Sequence, residues 1–205
     1  MSVKEQVKSI KEKHSPIAVI FGSSTGDEGS ELYSLAFEVG RELAKQGFTI
    51  ANGGYTGTMD ATARGALEAG GVALGITTDE IVKVVPSSYL TEEVRFPNLM
   101  TRLEALVLLG DIYVLLPGSS GTLTELALVW DKQKLGLIPI RPMVLFGKTW
   151  HAIYEAMFDN PDPLVPLSSW KLDSEVKKHT FLLTTPEQLA GWLTNELVQF
   201  TTKHP

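Results

Sequence analysis

The amino-acid order predicts an α/β fold: a doubly wound, Rossmann-like three-layer α/β/α arrangement around a mainly parallel sheet. The first observation is that short apolar β-forming runs alternate with amphipathic helical stretches from residue 17 onward, which places helices on both faces of a parallel sheet. The second is the handedness of such crossovers, which winds the two halves of the sheet in opposite directions. The third is that glycine-rich segments at 22–26, 53–57 and 118–121 each follow a predicted strand, at the sheet edge where ligands of this fold class bind.

Ile17-Ala18-Val19-Ile20-Phe21 reads as a buried strand, ended by Gly22-Ser23-Ser24-Thr25-Gly26. Leu32, Leu35, Ala36, Val39 and Leu43 then recur at three- and four-residue spacing, a helix that Gly47 stops as a left-handed cap. A second strand, about Phe48 to Ala51, runs into Asn52-Gly53-Gly54-Tyr55-Thr56-Gly57. A small-residue helix with Met59, Ala63, Ala66 and Leu67 ends at Gly70-Gly71, and Val72 to Ile76 is the third strand. From Thr77 to Pro97 the prolines at 86 and 97 predict a loop holding at most one short strand. Asn98 caps a helix to Leu109, Ile112 to Leu116 is a strand, and a helix runs from 122 to about 135. Met143 to Phe146 is a strand and Trp150 to Phe158 a helix. A proline-rich connector, Asn160 to Pro166, leads to a strand at Phe181-Leu182-Leu183. Thr184 or Thr185, with Pro186 in the first turn, opens a last helix ending near Phe200.

With 205 residues, 43% apolar and 20% charged, the chain can bury one substantial core and is not of disordered composition. The expectation is a single Rossmann-like nucleotide-binding domain over 1–205, with residues 1–15 as a polar N-terminal extension. A net charge of -6 argues against nucleic acid as partner, because that affinity comes from Lys and Arg on phosphates. The lack of cysteine excludes disulfides, zinc-thiolate sites and thiol nucleophiles. His14, His151, His179 and His204 have no metal-ligand spacing, so no metal and no cofactor are expected. No apolar segment approaches the roughly 20 residues that span a bilayer; no membrane partner and a cytoplasmic location are expected.

The strongest signal is Pro117-Gly118-Ser119-Ser120-Gly121-Thr122-Leu123-Thr124-Glu125 between a strand and a helix. Free backbone N–H groups at the positive end of a helix dipole cradle phosphate or another anion. None of the glycine-rich loops fits G-x-G-x-x-G or carries a P-loop lysine, which argues for a mononucleotide over a dinucleotide or ATP. Glu125 has two readings. Thr122-x-x-Glu125 has the spacing of a capping box, with each side chain serving the other's backbone N–H; alternatively the acid serves chemistry beside the anion. Arg102 lies four and seven residues before Leu106 and Leu109, so it borders the core as a snorkelling arginine or as an anion ligand.

Around Pro117 to Glu125 the chain resembles the Lonely Guy family, whose pattern is P-G-G-x-G-T-x-x-E; Ser119 stands at the second glycine. The resemblance runs over roughly residues 17 to 158. It takes in Phe21-Gly22-Ser23-Ser24, Gly53-Gly54 with Gly57 and Met59, Arg102, and Lys134-Leu135-Gly136. It implies a phosphoribohydrolase that cleaves the N-glycosidic bond of a purine or cytokinin-type nucleoside 5'-monophosphate to free base and ribose 5-phosphate. It also implies a homodimer or larger assembly, in keeping with apolar helices such as Leu123 to Trp130. Arg102 and Glu125 would be catalytic. Gly22, Ser23, Ser24, Gly53, Gly54, Thr56, Gly57, Gly118, Ser119, Ser120, Gly121 and Thr122 would hold the phosphate or nucleotide.

Three departures from the hydrolase pattern are Ser119, Leu103 where active members carry Lys, and Asp60 where they carry Gly. An acid at that place is similar to the molybdenum cofactor carrier proteins, so the alternative function is a non-catalytic carrier of that or another phosphorylated ligand. On the residues alone, Asp60 favours the dipole of its helix and pairs with Arg64 one turn on, while Ser23 and Ser24 form a turn. Arg95 is a second phosphate candidate or a loop charge. A serine hydrolase using Ser119 or Ser120 lacks the G-x-S-x-G elbow by one residue.

Overall fold

The computed structural model describes residues 1–159 and 174–197. Among the described residues seven strands form one sheet in the order β4-β3-β2-β1-β5-β6-β7, with every adjacent pair parallel. They are β1 Ile17–Phe21, β2 Thr49–Asn52, β3 Ala73–Thr78, β4 Glu92–Phe96, β5 Ile112–Leu115, β6 Met143–Phe146 and β7 Thr180–Leu183. The order reverses between β1 and β5, the crevice where a doubly wound sheet offers its ligand site.

The strands alternate cleanly between two apolar layers. Ile17, Val19 and Phe21 face a core shared with α1 Val3–His14, α4 Leu99–Leu109 and α5 Ser120–Lys134. Ala18 and Ile20 face one shared with α2 Glu31–Lys45, α3 Thr58–Glu68 and α8 Pro186–Trp192. α6 Lys148–Tyr154 continues as a π-helical turn over Glu155–Asp159, where a helix to Phe158 was expected, and α7 Ser174–Lys178 precedes β7. α8 opens with the expected Thr185 cap and Pro186, and Gln188 completes a capping box. The connector expected at Asn160 to Pro166 and the helix end near Phe200 lie outside the described residues.

Residues 1–15, read from sequence as a polar extension, instead form α1. Ser2 and Glu5 make a capping box at its start, and Val7 and Ile10 are buried against the sheet layer. Lys11, one turn after Val7 on the same face, adds to the docking by donating to the Leu109 carbonyl at 2.9 Å and to Asp111 at 2.7 Å.

Trp130, Trp150 and Trp192 are buried. Trp150 also donates its indole N–H to the Leu116 carbonyl at 2.8 Å, fixing the chain just ahead of Pro117.

Candidate functional site

The loops that follow β1, β2 and β5 meet at one edge and hold each other through backbone groups. The Ser23 amide donates to the Pro117 carbonyl at 3.2 Å, and the Ser23 carbonyl accepts from the Thr58 amide at 3.0 Å and the Thr58 hydroxyl at 2.9 Å. Gly57 sits at φ 67°, and a Cβ there would stand 2.6 Å from backbone atoms of Ser23 and Ser24. Only glycine permits both the positive φ and that approach. Buried Asn52 organises the second loop: its amide group donates to the Met59 carbonyl and the Thr62 hydroxyl at 2.9 Å, and its oxygen accepts from the Gly54 amide at 2.8 Å.

At the start of α5, Ser119 takes the N-cap position in extended conformation but makes no side-chain cap bond. Among the described residues the amides of Ser120, Gly121 and Thr122 have no protein acceptor. The Thr122 side chain is 2% exposed, and its hydroxyl makes no hydrogen bond there either. Three unsatisfied N–H groups at the positive end of a 15-residue helix make an anion cradle.

The helix start also decides the first reading of Glu125. A helix from 122 was expected, which would put Thr122 at the cap; it begins at Ser120, so Thr122 is inside the first turn and no Thr122–Glu125 capping box forms. The Glu125 carboxylate instead lines the cleft, with no hydrogen bond or ion pair among the described residues. Burial raises its pKa from the ordinary 4.5 to about 7, against the opposing pull of Arg102. Between those two values the folded chain binds more protons than the unfolded one, so this group lowers stability as pH rises through that window. Replacing Glu125 by Gln abolishes the dependence. The melting-temperature advantage of Glu125→Gln over the native chain is expected to grow from pH 4 to pH 8, and a pH-independent difference would show the carboxylate to be well solvated.

Arg102 is 8% exposed and reaches out of α4 under the second loop. Its Nε donates to the Ile76 carbonyl at 2.7 Å and one terminal nitrogen to the Gly53 carbonyl at 3.2 Å. The guanidinium carbon lies 5.7 Å from the centre of the Tyr55 ring. Burial pulls its pKa down and Glu125 and Tyr55 push it back; an arginine still keeps its charge at neutral pH. It is thus a held cation rather than a snorkelling one. Gly53 makes the room: a Cβ there would stand 1.9 Å from that same terminal nitrogen.

These parts enclose a cleft of about 400 Å³. Of the residues expected at the site, Gly22, Ser24, Thr56, Arg102, Ser119, Gly121, Thr122 and Glu125 line it. Ser23, Gly53, Gly54, Gly57, Gly118 and Ser120 do not line it and serve the loops around it. Ser23 makes the turn foreseen for it, its hydroxyl oxygen accepting from the Thr25 amide at 3.0 Å. Tyr55, Met59, Ile81 and Val84 form an apolar part of the lining that was not expected.

Other expectations change. Asp60 and Arg64 do not pair: Arg64 turns to Glu28 and to Glu68, the latter at 3.0 Å, while Asp60 accepts from the Tyr33 and Ser87 hydroxyls. Arg95 lies on β4 and pairs with Glu93 at 2.9 Å and Asp79 at 3.7 Å, away from the cleft. Leu103 is buried in the core, on a different side of α4 from the cleft-lining Arg102. His14 meets Glu92 and His151 the Leu145 carbonyl, so neither is placed as a base for Ser119 or Ser120.

The model of the SLOG cluster4 family matches residues 15–159. Curated relatives to which the chain is similar include two proteins named cytokinin riboside 5'-monophosphate phosphoribohydrolase. The one from Mycobacterium tuberculosis is 32% identical over 124 residues, covering 60% of this chain and 66% of its own. The one from Rhodococcoides fascians is 29% identical over 124 residues, covering 59% and 62%. The chain therefore spans just under two thirds of the length of these relatives. In fold, it is similar to the molybdenum cofactor carrier protein from Chlamydomonas reinhardtii: the TM-score is 0.63 at 19% identity, over 89% of this chain and 98% of that one.

Proposed function

The chain belongs to the SLOG cluster4 family, and on that premise we propose that it hydrolyses the N-glycosidic bond of a nucleoside 5'-monophosphate of purine or cytokinin-riboside type. The observation that carries this reading is the Glu125 carboxylate, unpartnered among the described residues and held near a pKa of about 7 beside an anion cradle and a buried arginine. A carrier needs the cradle and the cation but gives that acid nothing to do.

In this reading the 5'-phosphate sits on the amides of Gly121 and Thr122, with the Thr122 and Ser119 hydroxyls as further donors and Arg102 as counter-charge. The loops of Gly22, Ser24 and Thr56 close the opposite side. Glu125, one turn into α5, faces the ribose. As the bond from C1' to the base nitrogen lengthens, positive charge builds on the sugar and the carboxylate stabilises it. Ionised Glu125 takes a proton from the attacking water as the new C–O bond forms at C1'. The proton then passes to the departing base nitrogen, and no redox partner or metal is required.

Homodimer or larger assembly also fits this reading, since Leu99, Met100 and Leu123 are exposed around the site. Product analysis with and without the phosphate tests the proposal. AMP should yield equal amounts of adenine and ribose 5-phosphate while adenosine is left intact, and equal cleavage of both would remove the phosphate cradle from the mechanism.

A further inference from the structure

Asp60 stays out of the cleft lining, yet both its carboxylate oxygens are engaged: one accepts from the Ser87 hydroxyl at 2.6 Å, the other from the Tyr33 hydroxyl at 2.8 Å. Ser87 is where the chain between β3 and β4 is tied back to the fold. Its amide donates to the Gly54 carbonyl at 2.9 Å, and its hydroxyl oxygen accepts from the Tyr89 amide at 3.2 Å. At the other end the Asp79 amide donates to the Phe96 carbonyl at 3.0 Å. Between these ties, no backbone hydrogen bond holds Val82 to Pro86 among the described residues. This strap nevertheless delivers Val84 to the cleft; Ile81, just before it and tied by its amide to the Thr78 carbonyl at 3.4 Å, and Met59, the neighbour of Asp60 on α3, line the cleft too. A strap without internal bonds takes its place from its ties, and the tie nearest Val84 is the one that Asp60 holds.

We propose that Asp60 is a positioning residue which, through Ser87, sets the apolar wall that receives the base of the ligand. The identity of that ligand rests on the nucleotide reading above. The cleft lining combines the open amides at the start of α5 with an apolar set, Ile81, Val84, Met59 and the Tyr55 ring, and Arg102 borders that set, its guanidinium carbon 5.7 Å from the Tyr55 ring centre. Of the parts of a nucleotide, only the base has apolar faces to set against that wall. Asp60 therefore governs affinity for the base and leaves the grip on phosphate alone.

The test compares AMP with ribose 5-phosphate, measured by calorimetry on the full chain. Asp60→Ala and Ser87→Ala should each weaken AMP about tenfold, the size of one charge-assisted hydrogen bond, and leave ribose 5-phosphate unchanged. The double variant should match either single one, because both act through one bond. Asp60→Asn should keep native selectivity, since its amide oxygen still accepts from Ser87 and its N–H donates to the Tyr33 oxygen. Without ligand, hydrogen exchange at the Ser87 and Tyr89 amides should speed up in both alanine variants and stay native in Asp60→Asn. Equal weakening of the two ligands, additive effects, or unchanged exchange would overturn the proposal. A native chain that binds neither AMP nor ribose 5-phosphate would refute the nucleotide reading instead, and the exchange rates would still decide whether Asp60 holds the strap.

Discussion

Glu125→Gln is expected to lower the turnover of a nucleoside 5'-monophosphate by about 10²- to 10⁴-fold, the usual worth of a positioned acid–base group, while binding changes by no more than a few-fold. The amide has the shape of the acid, and no hydrogen bond or ion pair within the described residues depends on the charge, so the fold has no reason to move. Binding at pH 8 should even improve slightly, because the native carboxylate is then ionised beside an incoming phosphate. Base release followed by chromatography, with calorimetry for affinity, separates the two effects. Full turnover by the glutamine variant would reduce Glu125 to a bystander and leave the cleft a binding site.

Arg102→Lys is expected to damage both stability and binding. The guanidinium serves the Ile76 and Gly53 carbonyls from two separate nitrogens, and a single ammonium cannot reach both in the same geometry. At least one buried carbonyl loses its partner, which costs about 1–3 kcal/mol in denaturant unfolding. The ammonium is also drawn away from the cleft, so affinity for AMP should fall at least about tenfold, as expected of a lost charge-assisted contact. Gly53→Ala provides a companion without deleting the charge. Its Cβ would stand 1.9 Å from the guanidinium and 2.6 Å from the Met59 sulfur, so the arginine must shift and ligand affinity should fall in the same direction. Native stability and affinity in the lysine variant would show the guanidinium to be idle.

The layered fold was legible because its evidence is local. The β1, β5 and β6 runs are apolar at every position, and the spacing of Leu35, Ala36, Val39 and Leu43 admits little but a helix. β4 was harder to read because it is an edge strand with Glu92, Glu93 and Arg95 among its five residues, so its pattern is polar. α1 went unread because only Val3, Val7 and Ile10 are apolar in its 12 residues, although Ser2 and Glu5 carried a capping-box spacing.

At the site, the residue types were legible and their partners were not. Arg102 could be placed beside the core by its spacing to Leu106 and Leu109, but the Ile76 and Gly53 carbonyls that hold it come from β3 and the β2 loop. The Glu125 capping box depended on an N-cap at Thr122, three residues after the observed one; Ser119, Ser120 and Thr122 are all competent caps, and only the tertiary path of the Pro117 loop selects Ser119. The apolar wall of Ile81 and Val84 was beyond reach for the same reason. Its place follows from Ser87 meeting Asp60 and Gly54, contacts between residues far apart in the chain.

In the proposed function this cleft breaks a glycosidic bond as well as holding a phosphate. Incubating the native chain with AMP, GMP, CMP and UMP and following free base by chromatography tests it most directly. The expected result is base release from at least one purine monophosphate that disappears in Glu125→Gln. Binding of these nucleotides with no release of base from any of them would contradict it and leave a carrier of phosphorylated ligands.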